Sequence, residues 1–283
     1  MQRLTWLRDS TMAKVGVGIL LAILFCAAFA PLISPYERGQ QDVRQQLQAP
    51  SADHLMGTDE NGADMLTEII HGARVAVVVG VLTVVLRILL GVWLGLVSGY
   101  LGGWVDEVVM RVTEVFMSFP GILLAILIIF ITQEPSLWTV IFALSVTGWA
   151  GFARLVRGQV LVEREKNYVE AARAAGMPSW RIMVREIAPN CMGPVIVQAT
   201  FGMAGAILGE ATLSFLGLGP QNTASWGALL DRGADYFLIS QHIAFFPGLA
   251  IMLTVLAINF IGDALRDHFD PRITGRTEAA SSN

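Results

Sequence analysis

Long apolar runs separated by short polar stretches dominate this chain. Runs at residues 15–33, 75–97, 108–131, 137–153, 191–213 and 242–261 approach or exceed the roughly 20 residues that an α-helix needs to cross a bilayer. A soluble protein with buried helices would interrupt its apolar runs earlier. The pattern therefore predicts an all-α polytopic membrane protein with six transmembrane helices.

The polar segments carry the charge asymmetrically. Lys and Arg cluster near the start (Arg3, Arg8, Lys14), between the fourth and fifth runs (Arg154, Arg157, Arg164, Lys166, Arg173, Arg181, Arg185), and after the sixth (Arg266, Arg272, Arg276). The intervening segments hold only Arg38, Arg44, Arg74 and Arg232. Positively charged loops stay in the cytoplasm. This bias predicts both termini inside, at residues 1–14 and 263–283, and an external segment at 34–74; the first run, 15–33, is long and Phe29-Ala30-Pro31-Leu32 makes a poor cleavage site, which predicts an uncleaved span rather than a signal peptide. The transmembrane core then covers 75–262. Charged residues make up 15% of the chain, against roughly 25% in soluble domains. Net charge, −4, says little when its signs segregate across a membrane. No nucleic-acid signature is present. Cys26 and Cys191 lie in separate spans, which disfavours a disulfide framework.

Within the spans, three residues stand out. Arg87 falls near mid-depth, where a charge is expensive unless it pairs, snorkels or faces a polar path. Helix–helix or subunit-interface pairing, a pathway role and lipid-facing snorkelling all stay open. Pro120, in M-S-F-P, removes a backbone donor and predicts a kink in the third span, either lining a path or serving packing. Glu210 is an acid among small residues. It could pair with Arg87 or with a neighbouring subunit, or touch substrate. Gly148 and Gly151 suit close helix contact in the fourth span. In the external segment, Thr58 or Asp59 could cap a helix, and 64–72 could be a short interfacial helix.

The loop at 157–190 has its own pattern. Residues 160–173 favour helix, Gly176-Met177-Pro178 interrupts it, and a second helix can begin at Pro178 or Ser179, with Ser as a cap, and end before Pro189. The result is a helix-turn-helix between two spans. Glu170 and Arg173 stand one turn apart and can pair weakly.

In this loop E-A-A at 170–172, Gly176 and I-x-P-N at 187–190 resemble the cytoplasmic loop of bacterial ABC importer permeases, with Ala188 where the family usually has Leu. Further boxes agree: H-L-M-G-T-D-E-N-G-A-D-M-L at 54–66, L-S-F-L-G-L-G at 213–219 followed by Trp226-Gly227, and G-D-A-L-R-D-H-F-D-P at 262–271. These are similar to the second permease subunit of the dipeptide/oligopeptide/nickel group, although Ala63 replaces the usual Arg. The resemblance implies a type I ABC importer fold in the bacterial inner membrane and a coupling role for Tyr168, Glu170, Ala171, Ala172, Arg173, Gly176, Pro189 and Asn190. It also implies a homologous permease partner, two ATP-binding subunits that carry ATP and Mg, and a periplasmic substrate-binding protein. Peptides are the expected substrate, with nickel chelate or glutathione as the alternative. The residues themselves give no enzyme site. The four His form no ligand cluster, and neither Lys14 nor Lys166 sits in a G-x-x-x-x-G-K-[ST] loop, so the chain should bind no cofactor itself. A membrane scaffold or an ion-coupled carrier is the reading from another class. A carrier should show embedded acids and an inverted repeat, and Glu210 stands nearly alone.

Overall fold

The structure is a computed structural model, and it describes residues 10–133, 135–220 and 223–269. The charged start with Arg3 and Arg8, and the tail with Asp270-Pro271, Arg272 and Arg276, lie outside the described residues. Helix α1 spans Thr11–Ile33 and begins where Ser10 accepts a hydrogen bond from the Ala13 amide at 3.2 Å. Helix α2 spans Met65–Leu101, α3 Gly103–Ser118, α4 Gly121–Thr132 and α5 Leu137–Glu163. The short α6 covers Asn167–Ala174 and α7 Ser179–Arg181. A π-helical stretch, Ile182–Ile187, then runs into α8, Ala188–Phe215. Helices α9, Trp226–Asp235, and α10, His242–Phe269, complete the described fold.

Five of these helices are long and apolar enough to cross a membrane, and α3 with α4 forms a sixth, broken candidate bent by 90°. The third apolar run is thus not one kinked helix. Pro120 has no amide to give to the helical ladder and sits at the N-cap of α4, after Phe119 in extended conformation. With 12 residues, α4 alone reaches only about 18 Å at 1.5 Å per residue. In contrast, α2 has 37 residues and extends about 55 Å, well beyond a hydrocarbon core of roughly 30 Å. It absorbs residues 64–72, so there is no separate interfacial helix.

The cap of α2 is Asp64, not Thr58 or Asp59. Its carboxylate accepts from the Thr67 amide and hydroxyl, both at 2.8 Å, and meets His54 Nδ1 at 3.0 Å. Asp59 instead closes the turn before it, accepting from the Asn61 and Ala63 amides at 2.8 Å. Gly62 follows at φ +76°, a conformation that L side chains rarely adopt. His54, Thr58, Asp59 and Asp64 are all buried. What reads as a polar surface stretch is therefore a compact knot, called here the box end of α2. Arg232 of α9 reaches Asp59 at 3.3 Å, and His242 of α10 meets the Thr58 carbonyl at 3.0 Å.

In the membrane core, α2 lies along α5 through a seam of three glycines four residues apart. A Cβ on Gly91 would stand 2.5 Å from Phe152 Cβ, and one on Gly95 2.6 Å from the Ala153 carbonyl. On Gly99 it would stand 2.8 Å from Val160 Cβ. In lipid, helices gain association from close packing rather than from water exclusion, so such a backbone-level seam matters. The sequence pointed to Gly148 and Gly151 for this. The structure gives them other surroundings: Gly148 leaves room for the Arg87 side chain, and Gly151 has only Gln198 nearby, at 3.9 Å. Helix α10 packs against α8 and α1, and α1 against α2, which completes the bundle.

Replacing Gly95 by Leu should separate α2 from α5 and cost about 1–3 kcal/mol. Gly158→Leu, at a position open to space, should be neutral. Thermal unfolding of both variants in detergent, followed by tryptophan fluorescence, checks the pair.

Candidate functional site: the helix-turn-helix between α5 and α8

The turn of the helix-turn-helix is a Schellman motif. Gly176 adopts φ +75°. Its amide donates to the Arg173 carbonyl at 2.9 Å, and the Met177 amide reaches back to Ala172 at 3.1 Å. This 5→2 and 6→1 pair ends α6 and needs the left-handed residue that glycine supplies. Pro178 caps α7 through its carbonyl, which accepts from the Arg181 and Ile182 amides at 2.9 and 3.2 Å. The Ser179 side chain, expected as a cap, makes no capping bond.

The second half departs from expectation more strongly. Winding does not stop before Pro189; it continues into α8. An α-helical turn there would press the proline ring against the carbonyl of residue 185. The π stretch widens the turn instead, and the Ala188 amide bonds the Met183 carbonyl five residues back. The first half departs in the opposite sense. Helix α5 runs on to Glu163, and residues 164–166 break the winding before α6, so 160–173 is not one helix.

One side of the element is buried. Val169, Ile182 and Ile187 are fully enclosed with Val156, Val160 and Cys191, and Tyr168 and Ala172 pack against them. The other side is open. Glu170, Ala171, Arg173, Ala174, Ala175, Gly176 and Trp180 are exposed. Small side chains at 171, 174, 175 and 176 leave a shallow surface whose backbone a partner can approach closely. Arg173 lies over the Tyr100 ring at 5.3 Å. Glu170 and Arg173, one turn apart and both exposed, form no ion pair among the described residues.

The stem holds polar contacts that the sequence reading missed. The buried Glu163 carboxylate accepts from the Tyr168 hydroxyl at 2.7 Å and meets Lys166 Nζ at 2.7 Å. Asn190 Nδ2 donates to the Tyr168 oxygen at 3.2 Å and to the Glu186 carbonyl at 2.7 Å. Burial, reinforced by the bond to the Glu163 carboxylate, pushes the Tyr168 phenol up to about 12, so it stays protonated at physiological pH. The E-x-x-K spacing of Glu163 and Lys166 was the one available signal. Nearby, Arg157 grips Asp106 in a bidentate pair at 2.5 and 2.6 Å, and Arg164 donates to the Gly99 carbonyl at 2.9 Å. Two of the loop's cations thus face inward, fastening α5 to α3 and α2.

The remaining residues singled out from the sequence are not brought to this element. Arg87 donates to the Leu144 carbonyl at 2.7 and 3.0 Å and to the Gly202 carbonyl at 3.3 Å, bridging α2, α5 and α8. Glu210 does not meet it. That carboxylate accepts from Ser214 at 2.7 Å and from Ser225 at 2.8 Å, joining α8 to the start of α9. Pro120 is exposed at the α3–α4 bend. At the box end, a polar cleft of about 700 Å³ opens between the knot and the segment joining α8 to α9, lined by Arg38, Gln41, Glu68, Asp231 and Arg232. Among the described residues, no group of three or more His, Cys, Asp or Glu could hold a metal ion.

The bundle, with its bent α3–α4 pair and an exposed helix-turn-helix joined to two spans, has counterparts among known proteins. Solved structures of the MetNI methionine ABC transporter in inward-facing conformations share the fold: one covers 71% of this chain and 96% of its own, with TM-score 0.59 and 20% identity. The chain belongs to the family described as binding-protein-dependent transport system inner membrane component, whose model matches residues 91–275. A second model, the N-terminal TM domain of oligopeptide transport permease C, matches residues 3–50. The dipeptide transport system permease protein DppC of Escherichia coli K12 is 45% identical over 269 residues, covering 92% of this chain and 89% of that protein. DppC of Bacillus subtilis is 42% identical over 270 residues, covering 94% and 84%. The di/tripeptide transport system permease protein DppC of Pseudomonas aeruginosa is 40% identical over 265 residues, covering 91% and 87%.

Removing the Arg87 guanidinium tests whether it is a structural bridge. Arg87→Met should cost roughly 1.5–3 kcal/mol, the range for hydrogen bonds from a charged group. The check is a lowered unfolding temperature in detergent; unchanged stability with lost transport would assign Arg87 to the pathway instead.

Proposed function

We propose that this chain is one of two homologous permease subunits of an ATP-driven importer of dipeptides and oligopeptides. The observation that carries the coupling part of this reading is the exposed surface of α6 and its turn, seated on a buried apolar base continuous with α5 and α8. A docking helix needs a small, accessible face toward the partner and a firm attachment behind it. Glu170, Ala171, Ala174, Ala175 and Gly176 supply the first; Val169, Ile182 and Ile187 supply the second. The peptide part rests on the relatives, whose names describe dipeptide and di/tripeptide transport.

On this reading, both termini and the helix-turn-helix lie in the cytoplasm, as the distribution of Lys and Arg favours. Two ATP-binding subunits carry ATP and Mg, and each closes on one permease. Closure on ATP pushes α6, and α5 and α8 carry the displacement into the membrane. The second permease supplies the other wall of the pathway. A periplasmic binding protein delivers substrate at the box end. The affinity difference of the ATPase dimer between its open and closed forms drives the change; the permease only redistributes it between inward-open and outward-open states.

The decisive measurement is ATP hydrolysis by the reconstituted complex with its binding protein, against dipeptides, oligopeptides, glutathione and chelated nickel. Stimulation by peptides supports the proposal. Stimulation only by the metal chelate or by glutathione keeps the coupling scheme and overturns the substrate. Glu170→Arg, an exposed change, should leave the chain folded in the membrane and abolish most peptide uptake while hydrolysis persists; normal uptake by this variant would sink the docking assignment.

A further inference from the structure

A helix-turn-helix transmits a push only if its stem does not hinge. The weak point is the passage from α5 to α6. Helical winding stops after Glu163, and the backbone across residues 164–166 is held by turn bonds, with the Lys166 amide donating to the Glu163 carbonyl at 3.1 Å and the Val169 amide to the Lys166 carbonyl at 2.9 Å. The other root, where α7 enters α8, is a π stretch that lacks the regular ladder.

One polar side chain from each root, and one from α6, meet across these two irregularities. Glu163 is the last residue of α5, and its side chain is only 10% exposed. Tyr168 stands in the first turn of α6 and donates its hydroxyl proton to Glu163 at 2.7 Å. Its oxygen accepts from Asn190, in the first turn of α8, at 3.2 Å. Asn190 uses a second contact, to the Glu186 carbonyl at 2.7 Å, to brace the end of the π stretch. A phenol suits the centre of this arrangement because its one oxygen both donates and accepts. The bond to an ionised acceptor is the stronger kind.

We infer that Glu163, Tyr168 and Asn190 form a clasp that makes α6 move as one body with both α5 and α8. They are positioning residues: the face offered to a partner lies elsewhere on α6, and the clasp decides whether displacement of that face reaches the spans. This rests on the reading of the loop as an ATPase-docking element. It assigns Tyr168 and Asn190 to transmission rather than to contact with the ATPase, and it adds Glu163.

The test uses three variants. Tyr168→Phe keeps the ring packing and deletes both bonds. Asn190→Ala opens the α8 side alone. Glu163→Gln keeps one oxygen that can accept from Tyr168 but loses the charge and the second acceptor that holds Lys166, so it weakens the clasp without removing it. The first readout is hydrogen exchange of the full chain in lipid nanodiscs. Amides of residues 167–176 should exchange about tenfold faster or more in Tyr168→Phe and Asn190→Ala, while Glu163→Gln falls between these and wild type and the spans stay unchanged. The second is ATP hydrolysed per dialanine imported by the assembled complex with its ATP-binding subunits and binding protein. The ratio should rise several-fold in Tyr168→Phe while the ATP-binding subunits still co-purify. Unchanged exchange in Tyr168→Phe overturns the clasp, and so does faster exchange with an unchanged ratio. Loss of co-purification in Tyr168→Phe also overturns it, since the residue would then serve contact. Failure of the wild-type chain to bind ATP-binding subunits defeats the docking reading, and failure to import dialanine defeats the peptide reading; in either case the exchange result decides the clasp.

Discussion

Close contact between α2 and α5, made possible by Gly91, Gly95 and Gly99, is the constraint on which the rest of this structure depends. Each of the two helices is longer than the roughly 30 Å hydrocarbon core and carries a different end. Helix α2 projects into the buried knot of His54, Thr58, Asp59 and Asp64; α5 projects into the stem of the helix-turn-helix. The glycine seam fixes one against the other at backbone distance, and Arg87 adds a polar bridge from α2 to α5 and α8 farther along. Without a hydrophobic drive between helices in lipid, contacts of this kind hold a bundle together.

Hydrocarbon also explains how the irregular places are built. Backbone polar groups there must find partners within the protein. The break at Pro120 is turned into a helix start, where a missing amide costs nothing; outside the spans, at the root of the helix-turn-helix, the π stretch keeps winding unbroken where an α-helix would clash. The Arg87 bridge places its cation on carbonyl oxygens rather than toward lipid. Glu210 likewise finds two hydroxyls. Arg87 and Glu210 are the intramembrane charges that invited a pairing, and each is satisfied by a different set of neighbours.

Much of this was legible in the sequence because bilayer thickness imposes a length that apolar runs report directly. Five runs mapped onto long helices. The helix-turn-helix was also legible, because Gly176 and Pro178 have local conformational consequences that need no tertiary context. Its two roots were not. Whether winding continues through Pro189 depends on a widened turn, and the stop at Glu163 falls before Arg164-Glu165-Lys166, where no Gly or Pro marks a break. The knot at residues 54–64 looked like a surface loop because its polar residues satisfy one another, and composition alone cannot distinguish that from solvation. The seam was not legible for a related reason. Glycines occur on both α2 and α5, and only the packing tells which of them touch a backbone and which make room for a side chain.

The position of that seam along α2 has a mechanical corollary. Gly95 stands six residues from one end of the helix and thirty from the other, which makes arms of about 9 and 45 Å at 1.5 Å per residue. If α2 tilts about this point as a rigid rod, a displacement of about 1 Å near Leu101 becomes roughly 5 Å near Met65 by the ratio of the arms. The knot fastened to the long arm, with its grips on α9 and α10, then travels farthest. A lever of such unequal arms trades force for reach: on the proposed coupling role, a strong, short stroke at the helix-turn-helix would become a wide displacement at the opposite end.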